Sequence, residues 1–174
     1  MRALILGALL LTATPASAEV VSASSNGFEV RYTLNLVVPA NIAFQAFADV
    51  PGWWDPEHTY SGNSSNLSLN LSPGGCFCER FDKGGGIEHM HVTYVDPGKH
   101  VILTGALGPL LYEATTGVMD VQVKSAAGGS QLMLDYRVAG FAKGNADELA
   151  PAVDKVLTEQ LTRLRTYAAS RPRT

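Results

Sequence analysis

The chain has 174 residues, 46% of them hydrophobic, with 13 Lys+Arg against 16 Asp+Glu and a formal net charge of −3. That length holds one domain with a sizeable core and is short for two. The acidic balance, with no basic cluster anywhere, argues against a nucleic-acid partner, which needs a basic face.

The first residues have the make-up of an export signal. Met1-Arg2 is a short basic start, Ala3 to Leu11 is apolar, and Ala16-Ser17-Ala18 is a small-residue cleavage site. A secretory signal peptide over residues 1–18, cut before Glu19, places the product in the periplasm or outside the cell. The apolar run is about half the roughly 20 residues that a spanning helix needs, and no later run could cross a membrane. No cysteine near the cut suggests a lipid anchor. Arg2 is the only charge removed, so 12 basic and 16 acidic residues remain, a balance of −4.

Residues 19–27 are small and polar, a flexible lead-in. From Phe28 to Val38 apolar and polar residues alternate, the period of a half-buried strand. Pro39 can open a helix, and Ile42, Ala43, Ala46 and Phe47 stand at helical spacing over residues 40–49. Pro51-Gly52 interrupts it, and Trp53-Trp54-Asp55-Pro56 leads into a second short helical or turn segment. Six strands follow, with turn chemistry at Ser72–Gly75, Asp82–Gly86, Asp96–Gly98 and Ala126–Gly129. They are residues 67–71, 76–81, 87–95, 100–105, 114–124 and 131–138. The chain closes with an amphipathic helix over residues 147–169, whose apolar stripe runs through Leu149, Val153, Val156, Leu157, Leu164 and Tyr167. Residues 170–174 are a tail.

One long antiparallel sheet with a single apolar helix to cover it must curl around that helix. Val38-Pro39-Ala40, Ala46–Asp49, Trp53-Trp54, Leu69–Gly75, Tyr94–Pro97 and the closing helix resemble the SRPBCC superfamily, the START/birch-pollen-allergen-like helix-grip proteins, in its polyketide-cyclase-like and chaperone-activator-like branch. The resemblance covers residues 28–169. It implies an α+β helix-grip fold: a seven-stranded curved antiparallel sheet around a long C-terminal helix, with two short helices after the first strand. It also implies a deep cavity between sheet and helix that takes hydrophobic or amphipathic small molecules, so a hydrophobic small molecule or lipid is the expected ligand; no cofactor is expected. Fold alone does not choose between carrier and enzyme, and no catalytic set of an enzyme branch transfers residue by residue. The export signal departs from a cytosolic chaperone-activator role.

The densest chemistry lies in Cys76-Phe77-Cys78-Glu79 and Glu88-His89-Met90-His91. On a regular strand, residues two apart stand about 6.6 Å apart, near the upper limit for a disulfide, so a Cys76–Cys78 bridge needs a bulge and free thiols remain open. If Arg80 pairs with Ile87, Cys78 faces His89 and Cys76 faces His91, a square of ligand types suited to zinc or copper. A slip of one residue breaks the square. The expectation is accordingly no metal, with Cys76, Cys78, His89 and His91 as cavity lining beside Trp53, Trp54, Tyr60, Tyr112 and Tyr136. His58 is a further candidate at the mouth. If the cavity is catalytic, Glu79 and His89 are the candidate acid and base.

Overall fold

The computed structural model describes residues 17–140 and 146–172. Its core is an eight-stranded antiparallel sheet in the order β1-β2-β8-β7-β6-β5-β4-β3. The strands are β1 Ser17–Ser24, β2 Gly27–Leu36, β3 Leu67–Leu69, β4 Cys76–Arg80, β5 Gly86–Asp96, β6 His100–Gly105, β7 Thr115–Ala126 and β8 Gly129–Gly140. Two α-helices complete it, α1 Ala40–Ala48 and the 25-residue α2 Ala146–Ser170.

The sheet has one strand more than expected. The extra strand is β1, which occupies the supposed flexible lead-in and pairs with β2 from Ser17↔Thr33 to Ser24↔Gly27. Backbone pairing to a long neighbour orders this stretch without need of an alternating apolar pattern, so that signal is missing from the sequence. Of the signal-peptide segment, all but Ser17 and Ala18 lies outside the described residues. The second short helix is also different: it resolves into single 3-10 turns at Val50–Gly52 and Pro56–His58.

β2 has the alternation its sequence predicts, with Phe28, Val30, Tyr32, Leu34 and Leu36 all buried. It pairs along its whole length with β8, from Gly27↔Ala139 to Leu36↔Ser130, which joins the start of the domain to its end. Pro39 caps α1 rather than opening it. In α2, Asp147 sits inside the first turn, where its charge suits the helix dipole, and Pro151 is accommodated near the start. Leu157, Leu161, Leu164 and Ala168 of α2 are buried in the common core.

Polar ties hold α2 to the rest. Tyr32 Oη donates to Asp154 Oδ1 at 2.8 Å. Arg163 Nε donates to the Trp53 carbonyl at 2.9 Å, and Gln160 Oε1 accepts the Asp55 N–H at 2.8 Å. At the far end Asp49 accepts from Tyr167 Oη and from Arg171 Nη1. These bonds fix the Trp53–Asp55 segment against the helix and so shape one wall of the space beneath it.

Bulges bend the sheet. In the pairing of β5 with β6 the register shifts between Val92 and Tyr94, and in that of β4 with β5 between Phe77 and Cys78. Such insertions increase local twist and curvature. Gly105 and Gly117 pair across β6 and β7. A Cβ on Gly105 would lie 2.6 Å from the His89 carbonyl, and one on Gly117 would lie 2.6 Å from the Tyr136 ring. Glycine at both positions allows the strands to close behind β5.

Candidate functional site: an apolar cavity with a buried Glu–His pair

A cavity of about 370 Å³ lies between the sheet and the first half of α2. α2 contributes Leu149, Ala152, Val153, Val156 and Leu157, and the sheet contributes Leu67, Phe77 and His89. The Trp54–Tyr60 segment and the loop from Leu107 to Leu110 complete the wall, with Glu57 and Glu113 adding carboxylates. A smaller, apolar pocket lined by Trp53, Met119 and Leu161 lies deeper in the core.

The most deeply buried polar side chain of the wall is His89, which is 5% exposed. Its Nε2 lies 3.2 Å from Glu79 Oε2. Glu79 is itself buried, and its carboxylate also accepts the backbone N–H groups of Tyr60, at 3.1 Å, and Ser61. Burial pushes the Glu79 carboxyl up, but hydrogen bonds from Ser61, Tyr60 and His89 together outweigh it and hold the pKa below the usual value. Burial lowers the His89 pKa, against the opposing pull of Glu79. At neutral pH the pair is therefore a carboxylate facing a neutral imidazole.

An ionised carboxylate only accepts, so the Nε2 facing it carries the proton and Nδ1 holds a lone pair. Among the described residues Nδ1 has no hydrogen-bond partner. The ring is wedged between aromatic neighbours: Phe77 at 5.1 Å between centroids, and Tyr60 stacked at 5.9 Å.

A bulge puts His89 there. Cys76 pairs with His91 and Phe77 with Met90, but Cys78 pairs with Glu88, which leaves His89 as the extra residue on β5. His89 and Met90 are consequently both buried, while Glu88 and His91 are exposed. On β4, Phe77 and Glu79 point inward, and Cys76 and Cys78 take the other face.

That arrangement corrects the reading of the cysteines. Cys76 and Cys78 form a disulfide, with Cα atoms 5.3 Å apart, well inside the range such a bond accepts. The foreseen bulge exists, but its extra residue is on the opposite strand. The Cys/His square does not form: His89 turns inside, and the three metal-type side chains that cluster outside are Cys76, Cys78 and Glu88, two of them joined in the disulfide. Neither the cysteines nor His91 lines the cavity. His91 instead contacts Glu88 at 3.2 Å and Thr104 at 2.9 Å on the outer face.

The other expected lining residues divide. Trp54, Tyr60 and His58 border the cavity. Trp53 belongs to the core, its Nε1 donating to the Phe47 carbonyl at 3.2 Å. Tyr136 is fully buried in β8, and its Oη accepts the Leu107 N–H at 3.2 Å, which anchors the loop that forms part of the wall. Burial raises its pKa to about 12. Tyr112 is 71% exposed and touches Tyr60 edge-on at 6.3 Å. Phe77, Leu67 and Leu107–Leu110 were missed as lining. Phe77 had a signal, since its position between two outward cysteines on a strand points it inward.

No protein-family model matches the chain, and no curated protein matches it in sequence. Its fold does match solved structures. An uncharacterized protein from Rhizobium leguminosarum superposes with a TM-score of 0.60 at 17% identity, over 91% of this chain and 100% of that one. CalU16 from Micromonospora echinospora gives 0.56 at 8% identity, over 90% and 88%. A Staphylococcus aureus protein of unknown function gives 0.59 at 14%, over 82% and 93%. At these identities the likeness establishes the fold alone: a curved antiparallel sheet with a C-terminal helix, compatible with the helix-grip arrangement. No helix among the described residues is long and apolar enough to cross a membrane.

Proposed function

We propose that this protein is an exported member of the SRPBCC superfamily that holds a hydrophobic or lipid-like small molecule between its sheet and its C-terminal helix. The observation that carries the reading is the cavity: about 370 Å³, walled largely by aliphatic and aromatic side chains. That volume falls in the range of small-molecule sites, which are mostly apolar with a few placed polar groups. The test is native mass spectrometry of protein isolated from its own compartment. A co-purifying small molecule, displaced by denaturation, is the expected result. Empty protein that also takes up no apolar probe overturns it.

The Glu79–His89 pair supports a second reading, a polyketide-cyclase-like enzyme that uses the pair as acid and base. Both groups are inside, in hydrogen-bond contact, with the carboxylate orienting the imidazole as a general base requires. Loss of turnover in His89→Gln, with ligand uptake retained, separates this reading from a carrier.

A further inference from the structure

A residue of the cavity wall carries a buried hydrogen-bond acceptor without a partner among the described residues, and that narrows the ligand. His89 borders the cavity. One of its nitrogens is committed to Glu79, which is not part of the wall, and the other, Nδ1, is buried with no partner among the described residues. Buried polar atoms without a partner are rare enough in folded proteins to call for one. The tautomer is set from behind: the Tyr60 and Ser61 amides and the imidazole all donate to one carboxylate, so Nε2 donates and Nδ1 accepts. Phe77 and Tyr60 pack against the ring.

We propose that Nδ1 of His89 accepts a hydrogen bond from the cavity's ligand, which is therefore an apolar molecule bearing a hydroxyl or N–H donor. This rests on the ligand-binding reading of the cavity. An ether or ester would set a second acceptor against the lone pair. A fatty acid at neutral pH would bring a negative charge into an apolar space backed by Glu79, with Glu57 also in the wall. A long-chain alcohol or an alkylphenol meets both conditions: its chain covers Leu149, Val153 and Val156, and its O–H reaches the imidazole.

The experiment is calorimetric titration at neutral pH with para-hexylphenol, para-hexylanisole and para-hexylbenzoate. One hydrogen bond of this kind predicts that the phenol binds about tenfold tighter than the anisole, with the benzoate weakest. In His89→Phe the phenol and the anisole should bind alike. As a readout that needs no variant, nitrogen-15 NMR of the wild-type histidines should show His89 protonated on Nε2. Its Nδ1 resonance should shift with the phenol and stay put with the anisole. Equal binding of phenol and anisole to the wild type, or a phenol-saturated protein with an unmoved Nδ1, overturns the donor requirement while leaving the cavity reading intact. If none of the three binds, both fall.

Discussion

Glu79 and His89 face each other across β4 and β5, Nε2 to Oε2 at 3.2 Å, because β5 carries one residue more than β4 at that point. In an unbroken register His89 would stand opposite Cys78 on the outer face. The insertion turns it inward, where Glu79 waits on the strand's buried side. Bulges beside functional sites commonly redirect a side chain in this way. Here the redirected group is a buried imidazole of the cavity wall, whose Nδ1 has no partner among the described residues.

The pair makes the fold sensitive to acid in a defined order. The His89 pKa in the folded state is below its ordinary 6.5, so between those two values the unfolded chain binds the proton that the folded chain refuses. Stability is therefore retained above about pH 6.5 and falls as the pH drops toward the folded-state value. Glu79, also lowered, adds a second loss as pH falls below its ordinary 4.5. Thermal midpoints measured from pH 8 to pH 4 should begin to decline first in the histidine window. In His89→Phe that first decline should disappear and the lower one remain; an unchanged profile would count against a buried neutral imidazole.

Replacing Glu79 should cost more than its single side chain suggests. Glu79→Leu leaves the amides of Tyr60 and Ser61 and the His89 N–H without an acceptor. Unpaired buried donors of this kind cost about 1–3 kcal/mol each, so a loss of about 3–5 kcal/mol is expected in urea unfolding. Glu79→Gln, which keeps an acceptor for the loop, should lose less than half of that. Equal losses in the two variants would mean that the carboxylate's charge, rather than its accepting geometry, holds the loop.

The sequence made the scaffold legible because its signals are periodic. Phe28 to Leu36 alternates as a strand must, and Leu149 to Tyr167 repeats as a helix must. β1 escaped because its large apolar residues, Val20 and Val21, stand side by side instead of alternating, and pairing with β2 orders it. The site was legible only in its ingredients. Glu79 and His89 were candidates, yet alternation alone sets His89 on the cysteine face, and one inserted residue reverses that. Nothing in residues 60–61 announces that their amides serve Glu79, since any residue supplies the same N–H. The disulfide escaped for a related reason: the ideal strand rise overstates a separation that contracts to 5.3 Å here.

The Cys76–Cys78 bond should be present in protein from an oxidising compartment and should contribute little to global stability. Denatured, unreduced protein should show no free thiols by a colorimetric count. A loop closed by neighbours two apart restricts the unfolded chain only slightly, about 1.5 kcal/mol on the chain-entropy relation. The double variant Cys76→Ser/Cys78→Ser should thus fold and lose about that much in denaturant unfolding. Because both sulfurs lie on the face opposite the cavity, phenol binding should stay within about twofold of wild type, well under one tenfold step. A large loss of binding would mean that the bond holds the β5 bulge in register and, through it, His89.

Filling the cavity should separate binding from folding. Val153 is half-buried on α2 and faces the cavity, whereas Leu164, about three turns further along nearly the same face, is fully buried in the packed core. A tryptophan at Val153 enters open space instead of displacing neighbours, so Val153→Trp should unfold within about 1 kcal/mol of wild type, below the usual 1–3 kcal/mol cost of overpacking. Leu164→Ala, by contrast, leaves a void and should cost about 2–5 kcal/mol. Ligand uptake should reverse that ranking. Val153→Trp should bind hexylphenol at least about tenfold more weakly, about 1.4 kcal/mol, while folded Leu164→Ala keeps its affinity. If both variants bind as wild type, the ligand occupies some surface other than the space between α2 and the sheet.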